Sequence, residues 1–111
     1  VIGKPFYAWI RCVLTCAVEE KSPNPTEAEI QAILRGYTEA ADLGSYFARY
    51  NLAMFYSLKL LNHHDALKHL IKYTEEHPER SFGYKELASF YLIHQPNETE
   101  AAKAALRRGL S

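Results

Sequence analysis

Five identities fall at one spacing and constrain this 111-residue chain more than anything else in it. Leu52 and Leu87, Ala53 and Ala88, Phe55 and Phe90, Tyr56 and Tyr91, and Ala66 and Ala101 each lie 35 residues apart. Asn51-Leu-Ala-Met-Phe-Tyr-Ser-Leu58 and Glu86-Leu-Ala-Ser-Phe-Tyr-Leu-Ile93 therefore share one frame. A fixed period of this length is the mark of stacked helical hairpins. Small residues at Ala53, Ala88, Ala66 and Ala101 let backbones approach, and large ones a turn away fill the space between hairpins. One hairpin cannot bury both of its faces, so stacking is required. The first hairpin fits the frame loosely, with Ala32 lying 34 before Ala66 and a longer loop ahead of it.

Local signals place six helices. The first is expected from about Pro5, a favourable first-turn residue, to about Glu20, and the prolines at 23 and 25 stop it. Thr26-Glu-Ala-Glu29 is a capping box opening the second helix, whose residues Ile30, Ile33, Leu34, Tyr37, Ala40 and Ala41 share one face. Gly44 suits a left-handed cap at its end. The third helix is expected from about Ser45 to Leu61, with Ala48, Leu52, Phe55, Tyr56 and Lys59 inward. Asn62 or Asp65 caps the fourth, which buries Ala66, Leu67, Leu70, Ile71 and Thr74 and stops before Pro78. The fifth runs from Ser81 to His94. Asn97 opens the sixth, with acidic residues in its first turn and Arg107 and Arg108 in its last. No segment alternates long enough to be a strand.

Tyr50-Asn-Leu-Ala, followed by Tyr56, Ala66 and Pro78, resembles a tetratricopeptide repeat. It departs from that pattern at Leu60, which stands where glycine is frequent, at one extra turn residue, and at Tyr73, which replaces a small residue. Ala40-Ala-Asp-Leu-Gly44 with Ala48, Leu52 and Ala53 is equally similar to a Sel1-like repeat. Either resemblance implies an all-α fold, a right-handed α-solenoid of about three antiparallel helix hairpins, six helices in one domain. The hairpins are expected at about 5–43, 45–77 and 81–110. Both families bind proteins or peptides, and the tetratricopeptide pattern implies that Phe47, Tyr50, Asn51 and Met54, then Phe82, Lys85, Glu86 and Ser89, face the groove. Phe47, Tyr50 and Met54 would form an apolar, aromatic patch suited to a binding hot spot, and Asn51 could clamp a peptide amide. Phe82 and Glu86 occupy places where the chaperone-tail subset carries basic residues, which argues against an acidic tail as ligand.

Charge supplies no competing drive. Thirteen basic and 13 acidic side chains give a net charge of zero, so neither nucleic acid nor a membrane is expected as a partner. The apolar run from Phe6 to Val18 invites a signal-peptide reading, but Arg11 interrupts it and Thr15 is poorly placed before a lipidated cysteine. A first helix buried on two sides is expected instead, and through it a homo-oligomer is possible. Cys12 and Cys16, four apart on that helix, are poorly spaced for a disulfide and are expected as buried reduced thiols, which points to the cytoplasm. The opening residue, Val1, suggests a segment cut from something longer.

His63, His64, His69, His77 and His94 show no ligand spacing and are expected as turn or surface groups, with Asp65 and His69 pairing on the fourth helix. There is no phosphate loop or nucleophile elbow. The chain is thus expected to be no enzyme, with no cofactor and no metal. The leading expectation is a non-catalytic protein-interaction module. The alternative is a structural or oligomerisation segment of a larger solenoid.

Overall fold

The computed structural model describes residues 3–110; Val1, Ile2 and Ser111 lie outside the described residues. Six helices and no strand are found among them: α1 (Lys4–Lys21), α2 (Glu27–Asp42), α3 (Tyr46–Met54), α4 (His63–Glu76), α5 (Ser81–His94) and α6 (Thr99–Leu110). The chain divides into two units, Val1–Leu52 and Ala53–Ser111, and the division falls within α3. No described helix is long and apolar enough to cross a membrane.

In the first unit α1 and α2 are antiparallel, since partners descend α2 as they ascend α1: Arg11 Nε meets Glu39 Oε2 at 3.1 Å, and Tyr37, nearer the start of α2, meets Glu19, nearer the end of α1. Ala8, Cys12 and Thr15 are the buried residues of α1, and Ile33, Gly36, Tyr37, Ala40 and Ala41 those of α2. The capping box forms as the sequence predicts. Thr26 Oγ1 accepts from the Glu29 amide at 3.2 Å, and Glu29 Oε1 accepts from the Thr26 amide at 2.9 Å. The Ser22 hydroxyl also donates to Glu29, so the loop after α1 is fastened to the start of α2.

Gly44 closes α2 with φ +109°, a backbone state open mainly to glycine. The Ser45 amide reaches the Ala40 carbonyl at 3.1 Å and the Gly44 amide the Ala41 carbonyl at 3.0 Å, the paired bonds of a left-handed cap. Ser45 Oγ then accepts from the Ala48 amide and caps α3.

In the second unit α3 ends in a wider π-helical turn, Phe55–Lys59. Its signature is the Leu60 amide bonding the Phe55 carbonyl, five residues back, at 3.1 Å. That turn overturns part of the expected inner stripe. Ala48, Leu52 and Phe55 are buried, but Lys59 is exposed and Ser57 is buried, because each turn of the wider helix takes more residues and rotates later side chains off the stripe. Leu61 then takes a left-handed φ of +51°. Asn62 caps α4, its Oδ1 accepting from the Asp65 amide at 3.1 Å.

α4 and α5 are antiparallel, with Tyr73 on Gly83 and His63 on His94. Tyr73, a departure from the repeat pattern, is buried because Gly83 opposite it has no side chain. The Tyr84 side chain likewise lies against Gly109 of α6.

Burial follows the 35-residue frame at Leu52/Leu87, Ala53/Ala88 and Phe55/Phe90, with Tyr56 and Tyr91 both half-buried, and departs from it at Ala66/Ala101. Ala101 is half-buried and Ala102 takes the inner place, because residues 95–98 connect α5 to α6 where only 60–62 precede α4. Ala32 is exposed. The burial of α2 matches that of α4 at an offset of 33, pairing Ile33 with Ala66 and Tyr37 with Leu70.

Candidate partner-binding groove

The cap at Gly44 turns the chain so that α3 begins beside α1, and a groove of about 840 Å³ opens within the first unit. One wall is a helical stripe of α1: Pro5, Ala8, Trp9, Cys12, Val13 and Cys16, at alternating spacings of three and one. Residues 43–47 and Asn51 complete it. The lining holds no carboxylate, ammonium, guanidinium or imidazole. Its large apolar rim is solvent-facing, with Trp9 60% and Phe47 62% exposed.

The polar atoms of this groove gather at the thiols. Asn51 Nδ2 donates to Cys16 Sγ at 3.4 Å, which ties α3 to α1. The Tyr37 hydroxyl lies 3.4 Å from the same sulfur and 2.6 Å from Glu19 Oε1. Burial, then the neighbouring carboxylate and thiol, raises the Tyr37 phenol well above its ordinary range. Burial first and then Cys16 push the Cys12 thiol up to about 11, against smaller opposing hydrogen bonds from Ser45 and Asn51. Both cysteines are free, with Cys12 buried and Cys16 half-buried. In the first turn of α3 the guanidinium of Arg49, 1% exposed, meets Asp42 Oδ1 at 3.1 Å and holds α3 to the end of α2.

The eight residues singled out from the sequence fall into two groups. Phe47 and Asn51 line the groove together. Tyr50 is half-buried beside them on α3 but does not line it. Met54, half-buried, belongs to the second unit, as do Phe82, Lys85, Glu86 and Ser89 on α5. Phe82 is 43% exposed with its ring 6.3 Å from Tyr73; Lys85 and Ser89 are exposed, and Glu86 is half-buried. Sequence reasoning missed the α1 wall. The signal was present: Asn51 and Cys16 are themselves 35 residues apart, the spacing of the sequence frame.

The expectation for α1 is corrected here. Phe6, Tyr7, Trp9, Val13, Leu14 and Val18 are all more than 40% exposed, so α1 is not buried on two sides. The buried residues of α1 are its small ones, Ala8, Cys12 and Thr15, and Thr15 packs directly on Gly36 of α2. The expected surface histidines are also corrected in part. His63 stacks on His94 with ring centroids 4.1 Å apart, and its Nδ1 is buried without a hydrogen-bond partner. His69 stacks on Tyr56 with ring centroids 5.4 Å apart. No group of three or more His, Cys, Asp or Glu side chains that could hold a metal ion is found among the described residues. No protein-family model, curated protein or solved structure matches the chain.

Proposed function

We propose that this chain is a non-catalytic protein-interaction module, a helical-repeat solenoid of the tetratricopeptide or Sel1-like kind, whose first unit takes an uncharged, apolar segment of a partner protein. The observation that carries this reading is the groove lining, which joins an exposed aromatic rim to walls without a charged group. Desolvating such walls costs little, whereas a charged ligand would lose hydration there without gaining a counter-ion. Trp9 and Phe47 are the residue types that dominate binding hot spots. The Asn51 carboxamide oxygen remains available to a peptide amide.

Trp9 is the chain's single tryptophan and reports occupancy directly. Capped helical peptides with a leucine and phenylalanine face, titrated into the protein, should shift its emission to the blue and saturate near micromolar concentration, about −8 kcal/mol. Matched peptides with a lysine and glutamate face should not. Phe47→Asp should abolish the response at unchanged helical content. Equal binding of both peptide sets, no binding of either, or full binding by Phe47→Asp would each overturn the reading.

A second reading, self-association as part of a larger solenoid, rests on the remainder of α1. Phe6, Tyr7 and Leu14 are exposed and lie outside the groove lining. Light scattering across a concentration series should then show a dimer or larger species that Leu14→Glu dissolves; a monomer throughout would dismiss it.

A further inference from the structure

A partner's apolar segment makes no use of the two thiols on the groove wall. Cys12 and Cys16 are one helical turn apart and both line the groove. Asn51 Nδ2 of α3 donates to Cys16 Sγ at 3.4 Å, and the Tyr37 hydroxyl of α2, whose proton goes to Glu19 Oε1 at 2.6 Å, lies 3.4 Å from the same sulfur.

Helical residues four apart hold their Cβ atoms about 5–6 Å from each other, whereas a direct S–S bond needs about 3.5–4.5 Å. The spacing is too wide for a disulfide and suits two sulfurs closing on an atom between them. The kind of atom follows from the donor count. A closed zinc site takes four ligands, and three candidate donors do not gather anywhere among the described residues. Two thiolates satisfy a soft monovalent d¹⁰ cation, which accepts two ligands in line.

We propose that Cys12 and Cys16 chelate one Cu(I) ion on the α1 wall of the groove. Two S–H bonds break and two S–Cu bonds form, two protons leave to solvent, and copper stays monovalent throughout. The bis-thiolate product carries one net negative charge shared over both sulfurs, and Asn51 Nδ2 donates to one of them. Trp9, Val13 and Phe47 surround it with apolar surface that limits access of water and competing ligands.

The test is an anaerobic titration of the reduced protein with Cu(I) against bicinchoninate as competitor, followed by chelator absorbance and Trp9 emission. One ion per chain should leave the chelator, Trp9, three residues from Cys12, should be quenched, and both thiols should become protected from iodoacetamide. Cys16→Ser, at a half-buried position, should lose the ion to the chelator while keeping its helical content, and Cys12→Ser should do the same. Copper left wholly on the chelator, or uptake by Cys16→Ser equal to that of the unaltered chain, would overturn the assignment. Peptide binding to the groove is read separately, so failure of either proposal leaves the other standing.

Discussion

Thr15 fills the place where a side chain on Gly36 would stand. A methyl built on Gly36 overlaps the Thr15 hydroxyl and comes within 3.0 Å of its Cγ2, and that hydroxyl is already committed to the Arg11 carbonyl at 2.8 Å. This contact sets how close α1 can come to α2. It thereby sets which α1 residues are buried and which are turned toward the groove.

Gly36→Ala is therefore expected to destabilise the chain by about 1–3 kcal/mol through overpacking, even though alanine is the better helix former by about 1 kcal/mol. In a Thr15→Ala background the hydroxyl and Cγ2 are gone and the cost should fall to a fraction of that. Urea unfolding of the four proteins measures the coupling; strictly additive effects would refute the contact as the cause.

Leu61 is a leucine in a left-handed backbone state at an exposed site. It follows the π-helical turn, and the Asn62 amide spans back to the Tyr56 carbonyl at 2.8 Å, a closure one residue wider than an ordinary left-handed cap. The conformation costs a non-glycine residue about 1–2 kcal/mol, a cost asparagine partly escapes. Leu61→Asn should raise the urea midpoint, with a gain of about 0.5–1 kcal/mol. Leu61→Val, with its β-branch, should lower it. The reverse order would show that Leu61 is held by contacts its 73% exposure does not suggest.

What could be read from the sequence was local or periodic. Thr26 and Glu29 specify their capping box by spacing alone, Gly44 its left-handed cap, and Ser81 and His94 the two ends of α5. The 35-residue frame names buried positions in α3 and α5 because each depends on one helix face. The π-helical turn has no such period, and it displaced Lys59 from the core. Two contacts lay beyond local reasoning for another reason. His63 meets His94, and Cys16 meets Asn51, only once helices distant in sequence are packed. The apolar richness of α1 indicated burial, but richness does not say on how many sides a helix is covered. Within the first unit, α1 is packed on α2 mainly through its small residues.

The His63–His94 stack makes the second unit sensitive to mild acid. Burial, and then the neighbouring His63, lowers the His94 value below its ordinary 6.5. The unfolded chain therefore binds a proton at a pH where the folded chain resists it. Stability is fully present above 6.5 and falls as the pH drops from there through the folded value. Glu29 is a separate case: its carboxyl, lowered from 4.5 chiefly by the Ser22 hydroxyl, loses its contribution only in stronger acid. Between pH 7.5 and 5.5 the urea midpoint should fall, and it should fall less for His94→Gln. Equal falls would remove the stack as the source.

Cys12 gives the corresponding prediction in alkali. Its folded value of about 11 lies above the ordinary 9.0, so the protonated thiol is favoured in the folded chain. The stability this confers is complete below pH 9 and is lost as pH rises through 11, where the unfolded chain ionises and the folded chain resists. The same shift governs reactivity, since only the thiolate attacks. At pH 8 the thiolate fraction of Cys12 should be about 100-fold below that of the same residue in the urea-unfolded chain. Iodoacetamide labelling followed by peptide mass analysis should therefore show Cys12 slower in the folded protein by at least that factor, with burial slowing it further. The rate should climb tenfold per pH unit until about 11. Labelling of folded Cys12 at the unfolded rate would mean that α1 leaves α2 readily, and the groove would then form only in part of the population.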